Sequence, residues 1–144
     1  MNVVSSAYRM FTGDPFVEPD PYVGIVAHAR AKQLHILATL ALARRLGDRA
    51  RVNAVNPGMA WTPGTQALTP AAVPAWRLIW PVVRFFQRRA SAAKAASAPT
   101  RWALRPPATG SYVESDGKPR PLPARLCDQA LQDRALDWVV DRMG

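Results

Sequence analysis

Apolar and polar positions along the first third of the chain predict a strand, a helix and a second strand. Residues 2–4 and 52–55 are short apolar runs, typical of strands buried on both faces of a sheet. Residues 22–46 between them are rich in helix-forming side chains, and Gly47 and Asp48 end the helix. This order is the βαβ unit of a parallel sheet.

The predicted helix 22–46 carries two apolar stripes, which indicates that it packs on the sheet and on a second element such as a partner helix. One stripe is Leu34, Leu37, Ala38 and Ala41, and the other is Ile36, Leu40 and Ala43. A homodimer through this helix is therefore one expectation.

The remainder of the chain predicts three more helices and one more strand. Residues 63–74 are rich in Pro and Thr and predict no regular structure, whereas residues 75–89 and 91–104 predict helices, the first kinked or divided at Pro81 and the second broken at Pro99. Tyr112 and Val113 predict a third strand closed by a turn at 116–119, and residues 128–143 predict a final helix.

These elements predict an α/β fold with about three parallel strands and flanking helices. The chain divides into a strand–helix–strand segment (1–62), a lid or cap segment (63–109), and a last strand with its helix (110–144).

The stretch 75–89 contains the densest group of large apolar side chains. Its predicted apolar face consists of Trp76, Ile79, Trp80, Val83 and Phe86. Such a helix suits a substrate lid, a cap over the core, or a segment resting on a membrane. A lid or cap is favoured, because the stretch is short and interrupted by Pro81.

Composition excludes several classes of protein. A hydrophobic fraction of 49% in 144 residues is typical of a globular domain, and no run of 18 uncharged apolar residues is present. Residues 1–6 lack the basic flank and long apolar run typical of a signal peptide, so none is expected. The net charge of +9 invites nucleic acid or an acidic membrane as a partner, but the Arg residues are spread along the chain and no nucleic-acid-binding motif accompanies them, so the charge is interpreted as background. The single cysteine, Cys127, fits a reducing cytoplasm.

Candidate ligand-binding residues follow two of the predicted strands. Ligands of open α/β sheets bind beyond the carboxyl ends of the strands. Ser5 and Ser6 follow the first strand, and Pro57-Gly58, with Thr62 four residues later, follows the second. A cofactor or substrate is therefore expected at this edge, although a Pro-Gly turn is also ordinary scaffold.

Three segments resemble the short-chain dehydrogenase/reductase family. They are Asn-Val-Val-Ser-Ser at 2–6, the helix carrying Lys32, and Val-Asn-Ala-Val-Asn-Pro-Gly-Met-Ala-Trp-Thr at 52–62. Residues 27–46 and 110–119 are similar to the retinol-dehydrogenase-like branch. The resemblance covers the C-terminal half of the family's doubly wound, Rossmann-type domain. It implies that the N-terminal dinucleotide-binding half, with its Gly-rich turn, is absent from this chain.

The resemblance also implies a reaction and its residues. The family transfers a hydride between NAD or NADP and an alcohol or carbonyl, with a Ser, a Tyr and a Lys managing the proton. Ser6 and Lys32 match the Ser and the Lys, and the cofactor contacts implied are Lys32, Pro57, Gly58, Met59 and Thr62. A small apolar alcohol or carbonyl is the implied substrate class.

His28 occupies the position of the family's tyrosine, four residues before Lys32. An imidazole is able to exchange a proton, but it is shorter than a phenol and the Lys32 charge favours its neutral form. Tyr8 and Tyr22 lack the required spacing. The expectation is therefore a chain with little activity, in which Ser6, His28 and Lys32 are the candidate catalytic residues.

Other interpretations remain beside this one. His28 and His35 lack a third metal ligand and flank the cationic Lys32, so no metal site is expected, and no Gly-x-Ser-x-Gly motif indicates a hydrolase. A non-catalytic interaction module is the main alternative, because a truncated sheet exposes an edge that a partner or a second copy covers. A true start upstream of Met1 is the third possibility.

Overall fold

The three predicted strands form one parallel sheet. The computed structural model describes residues 1–67, 69–70 and 77–143, and its strands are β1 (Asn2–Val3), β2 (Ala54–Val55) and β3 (Tyr112–Val113), in the order β1-β2-β3. Asn2 pairs with Ala54 and Ala54 with Tyr112, so the carboxyl ends of all three strands meet at one edge. The parallel α/β architecture is therefore confirmed.

Five helices belong to the described part of the chain. They are α1 (Gly24–Leu46), α2 (Pro63–Gln66), α3 (Trp80–Arg88), α4 (Ala92–Leu104) and α5 (Gln129–Val140). Short 3-10 helices lie at Ser6–Met10, Gly47–Arg49 and Ala124–Cys127. Gly47 ends α1 as predicted, and the Asp128 side chain caps α5 by accepting from the Leu131 N–H at 3.0 Å.

Helices cover both faces of the sheet. On one face, α1 and α5 pack over Val4, Ala54 and Tyr112 and form the main core with Leu37 and Leu126. On the other face, Ala98 and Trp102 of α4 pack on Val55 and Val113. Burial of β2 on both faces explains its uninterrupted run of apolar and small residues.

Part of the first apolar stripe of α1, Ala38 and Ala41, packs on α5 of the same chain. Ala38 and Ala41 form a buried cluster with Leu136, and Arg44 and Arg45 form ion pairs with Asp133 and Asp137 at the rim. A homodimer was expected because this stripe needed a second element to pack on. Helix α5 of the same chain is that element, so the stripe no longer argues for a homodimer.

Two prolines act differently from the prediction. Pro81 lies in the first turn of α3 and neither kinks nor divides the helix, because a residue there has no intrahelical partner for the missing N–H. Pro99 lies inside α4, which continues from Ala92 to Leu104 without a break. Burial of Ala95 and Ala98 on the sheet side holds α4 together across Pro99.

The predicted irregular segment 63–74 begins with a helical turn, α2. Thr62 caps this turn in a reciprocal arrangement with Thr65, and Pro63 fits its first position. The predicted loop from Tyr8 likewise begins inside the 3-10 helix Ser6–Met10. Leu68, residues 71–76 and Gly144 lie outside the described residues, so the start of the predicted helix 75–89, Trp76 included, lies there too.

Candidate functional site

The carboxyl edge of the sheet collects the segments that the sequence singled out. Ser5 and Ser6 follow β1, Asn56, Pro57 and Gly58 follow β2, and Glu114 follows β3. The strands are parallel and adjacent, so these three segments lie side by side. This is the edge at which open α/β sheets bind ligands.

The two serines differ in their surroundings. Ser5 caps the 3-10 helix, its hydroxyl accepting from the Ala7 N–H at 3.2 Å. Ser6 is exposed at the start of that helix. Of the two, Ser6 has the hydroxyl that is accessible to a ligand.

Lys32 lies beside β1. Its Nζ donates a long hydrogen bond of 3.5 Å to the Val3 carbonyl, while Thr39 Oγ1, two turns further along α1, accepts from Asn2 Nδ2 at 2.8 Å. Helix α1 therefore runs antiparallel to β1. His28, one turn before Lys32, extends the same stripe toward the carboxyl edge and is exposed.

Both histidines near Lys32 favour the neutral form. Partial burial, followed by the positive charge of Lys32, lowers the pKa of His28 and of His35 below the ordinary histidine value. At neutral pH, His28 is an imidazole able to donate or accept a proton. Within the described ranges, however, no hydrogen bond joins Ser6, His28 and Lys32 to one another.

Neither Tyr22 nor Tyr8 takes the position of His28 beside Lys32. Tyr22 is 75% exposed and precedes α1, so it does not share the helical face of Lys32. Tyr8 is buried in the core, where its hydroxyl accepts from Arg9 Nε at 3.3 Å and its ring packs edge-on against Tyr112. The site therefore offers an imidazole where the family resemblance implies a phenol.

The turn after β2 has a backbone that requires glycine. Gly58 has φ +78°, and a Cβ atom there would lie 2.9 Å from Ser115 Cβ. The Gly58 N–H donates to Asn56 Oδ1 at 3.1 Å, which tightens the turn, and Met59 beyond it is exposed. The turn thus brings the chain after β2 against the chain after β3.

A cavity of about 330 Å³ opens beside this turn. Pro57, Gly58 and Met59 form one wall, and Phe86 with two cationic side chains, Arg89 and Lys94, contributes to the others. This volume and the mixture of apolar and cationic groups suit a small anionic or aromatic ligand.

Thr62 has a structural partner rather than a place at this cavity. Its hydroxyl accepts from the Thr65 N–H at 3.4 Å as the cap of α2, and its own N–H donates to Thr65 Oγ1 at 2.8 Å. Thr62 does not line the cavity.

A carboxylate that the sequence interpretation missed stands at the centre of this edge. Glu114 accepts from Arg9 Nη2 at 2.5 Å, from Asn56 Nδ2 at 2.6 Å and from the Tyr112 hydroxyl at 3.0 Å. Burial, with the adjacent Glu114 charge, raises the pKa of Tyr112 above its ordinary value. Glu114 directly follows the predicted third strand, so the rule that identified Ser6 and Pro57 would have found it.

Both carboxylate oxygens of Glu114 are occupied by donors from the segments after β1 and β2 and from β3 itself. A carboxylate in this state is poorly placed to act as a base, and it ties the three strand ends together instead. We therefore interpret the Glu114 cluster as the support of the site.

A larger cavity of about 540 Å³ lies at the opposite, amino edge of the sheet. Its lining includes Gly47, Gly110, Tyr112 and the exposed Cys127. It contains none of the sequence-predicted site residues.

Two features bear on metals and membranes. Among the residues that the structure describes, no group of three or more His, Cys, Asp or Glu side chains is placed to hold a metal ion. Within the same residues, no helix has the length and apolar character needed to cross a membrane.

Comparison of the chain with profiles of known families, with curated proteins and with solved structures finds no match. Assignment of a function therefore depends on the residues and on their placement.

Proposed function

We propose that the chain forms the substrate-side part of an NAD(P)-dependent short-chain oxidoreductase domain of the Rossmann type. The observation that carries the proposal is the Pro57–Gly58 turn at the carboxyl end of the central buried strand, beside a cavity whose lining includes the cationic side chains Arg89 and Lys94. Ser6 and the stripe of His28 and Lys32 lie toward the same edge of the sheet and are consistent with it.

The cofactor side of the site offers groups that suit part of a nicotinamide dinucleotide. Arg89 and Lys94 are suited to a phosphate, while the backbone of 57–59 offers polar groups to a carboxamide. When bound, NAD or NADP supplies the hydride. Phe86 and Met59 add apolar walls, which favour a small apolar alcohol or carbonyl as the substrate.

The proton-transfer side fits less well, and we propose low activity for this chain. In this proposal Ser6 holds the substrate oxygen and His28 exchanges the proton, while partial burial and then the charge of Lys32 lower the pKa of His28 and keep it neutral. An imidazole is shorter than the phenol that the family uses and reaches less far toward the carboxyl edge.

The test is a fluorescence titration of the purified chain with NADH and NADPH. We expect saturable binding that weakens at least roughly fivefold in Lys32→Ala and in Lys94→Ala, because each removes a cation from the site. Lys118→Ala, which removes an exposed lysine that does not line the cavity, is the matched control. Absence of binding up to millimolar cofactor, or equal loss in the control, would overturn the cofactor assignment.

Turnover is tested separately with a panel of apolar alcohols and aldehydes. His28→Tyr restores the Tyr-x-x-x-Lys spacing, and we expect at least a tenfold higher rate of NAD(P)H-coupled turnover than in the unaltered chain. An unaltered chain that is already fast, or a His28→Tyr variant that gains nothing while still binding cofactor, would contradict the role given to position 28.

A second candidate function is a non-catalytic interaction module, and the open edge of β1 favours it. The Asn2 and Val4 N–H groups donate to β2, so the backbone of Val3 faces away from the sheet, and its side chain is 46% exposed. Exposed strand edges pair readily with other chains.

If the chain is an interaction module, it should form dimers as its concentration rises. A charged side chain on the edge of β1 should abolish these dimers. Light scattering after size-exclusion chromatography should show a monomer for Val3→Lys and a dimer for the unaltered chain. Val17→Lys, at another exposed apolar position, is the control. A monomer at all concentrations would leave the edge without a role in self-association.

A further inference from the structure

The apolar face of α3 points outward. Leu78, in the turn before α3, is 95% exposed, and Val82, Phe85 and Phe86 are 57%, 50% and 62% exposed. Their spacing places these four side chains on one side of the helix, and Ile79, 53% exposed, lies beside them. A contiguous exposed patch of this kind marks an interaction surface.

The polar side of α3 faces the rest of the chain. Gln87 is only 3% exposed, and Arg84 Nη1 donates to the Thr65 carbonyl at 3.1 Å while its guanidinium stacks on Trp61 and Trp80. The helix is thus attached through Arg84 and Gln87. Turning the apolar side inward would break these contacts. The outward orientation of the apolar face therefore argues against the expectation that this helix caps the core.

The same region carries the whole net charge of the chain. Residues 49–113 contain nine Arg or Lys residues and no Asp or Glu, whereas the remaining positive and negative charges balance. Arg77, Arg88 and Arg89 flank the apolar face and are exposed, and the Arg89 guanidinium lies 3.7 Å from the centre of the Phe85 ring. Cations therefore border an apolar surface with no acidic residue nearby in sequence.

The combination of an exposed apolar face and bordering cations distinguishes between the kinds of partner that could cover the patch. Two copies meeting through it would bring like charges together without compensating acids. Nucleic acid would use the cations and aromatic rings, but it gives no role to Leu78, Ile79 and Val82. An anionic bilayer uses both features, since the acyl region accepts the apolar side chains and the headgroups attract the cations.

We propose that α3 and the preceding turn, residues 77–89, dock the chain on anionic phospholipid surfaces. The apolar face 78–86 enters the boundary between headgroups and acyl chains, and Arg77, Arg88 and Arg89 contact the headgroups. Docking rests on the exposed apolar face of α3 and on the cations that border it. Phe86 and Arg89 also line the cavity beside Gly58, but docking does not require any oxidoreductase activity.

Co-sedimentation with vesicles tests the proposal on the unaltered chain. We expect binding to phosphatidylcholine vesicles containing roughly 30% phosphatidylserine and little binding to pure phosphatidylcholine, because the cations require anionic headgroups. Raising the salt concentration from about 0.05 M to about 0.5 M should weaken the binding. Equal binding to both vesicles, or none to either, would overturn the proposal.

Paired variants separate the apolar contribution from the charge contribution. Phe85→Ser with Phe86→Ser should weaken partitioning to anionic vesicles at least roughly tenfold, with Val17→Ser as the control at another exposed apolar position. Arg88→Glu should also weaken it, by roughly fivefold or more for each unit of charge, with Lys118→Glu as the control. Controls that lose as much binding as the patch variants would contradict docking through α3.

Two further measurements exclude the other partners. Tighter binding of a single-stranded oligonucleotide than of anionic vesicles would identify the region as a nucleic-acid surface and overturn the proposal. Dimerisation abolished by the double Phe variant, measured by light scattering without lipid, would make the patch an interface between copies instead. Circular dichroism of each variant confirms that any loss of binding occurs in a folded chain.

Discussion

The glycines of this chain differ in two kinds of constraint, one from backbone conformation and one from the space beside the Cα atom. Gly58 shows both, because its φ is +78° and a Cβ would meet Ser115. Gly47 shows only the first, since its φ is +50° and nothing lies within 4 Å of its would-be Cβ. Gly24 shows neither. The three glycines therefore form a graded series.

Substitution of these glycines by alanine should follow that order. We expect Gly58→Ala to lower the free energy of unfolding by about 2–3 kcal/mol, Gly47→Ala by about 1 kcal/mol, and Gly24→Ala to raise it slightly. Urea denaturation followed by circular dichroism measures all three. Equal effects of Gly58→Ala and Gly47→Ala would show that contact with Ser115 is unimportant.

Tyr112 should make the stability depend on alkaline pH. Its pKa is raised in the folded chain by burial and by Glu114, so the unfolded chain loses the phenol proton first as the pH rises. The contribution is complete below the ordinary tyrosine pKa of about 10 and is lost above it. Unfolding free energies between about pH 9.5 and 11.5 should fall less steeply in Tyr112→Phe than in the unaltered chain, because the contribution is lost above the ordinary tyrosine pKa. Parallel curves would refute this origin.

At the scale of elements, the helices of the cap segment depend on where their prolines fall. Pro81 occupies the first turn of α3, whereas Pro99 removes a hydrogen bond from the middle of α4. The same residue type is therefore favourable in one helix and costly in the other.

Replacing each proline by alanine should separate the two cases. We expect Pro99→Ala to stabilise the chain by about 1–2 kcal/mol, because an interior hydrogen bond is restored. Pro81→Ala should have no effect or destabilise by less than about 1 kcal/mol, since Pro81 restricts the unfolded chain at a compatible position. Thermal unfolding of both variants makes the comparison, and a destabilised Pro99→Ala would indicate that the ring packs against a neighbour.

At the scale of the molecule, burial is uneven between the two sides of the sheet. Eleven residues of α1 are buried, whereas α3 contributes one and α4 contributes two. Regions with few buried contacts open locally before the whole chain unfolds.

Hydrogen exchange should reproduce this division. The amides of β2 and of the middle of α1 should exchange slowest, and those of α3 should exchange faster by several orders of magnitude. Mass spectrometry of peptides covering residues 30–42, 52–56 and 80–88 gives the comparison. Protection of α3 equal to that of α1 in the isolated chain would contradict it.

The sequence predicted the repetitive parts of this fold and missed those set by long-range contacts. Helix α1, Gly47 at its end and the buried run 52–55 follow from local pattern, and the structure confirms them. Two features depend on packing between distant segments, which a local sequence pattern does not reveal. They are the continuity of α4 across Pro99 and the outward direction of the apolar face of α3. At the edge, the segments after β1 and β2 lie side by side as predicted, whereas Thr62, a predicted cofactor contact, caps α2 and lies outside the cavity lining.

The Glu114 cluster also affects the order in which the chain assembles. It links side chains 105 and 58 positions apart, so it forms only after all three strands have met. Contacts between such distant segments mature late, and stabilising them slows unfolding more than it speeds folding. We therefore expect the Glu114 contacts to affect the rate at which this edge unfolds more than the rate at which it folds.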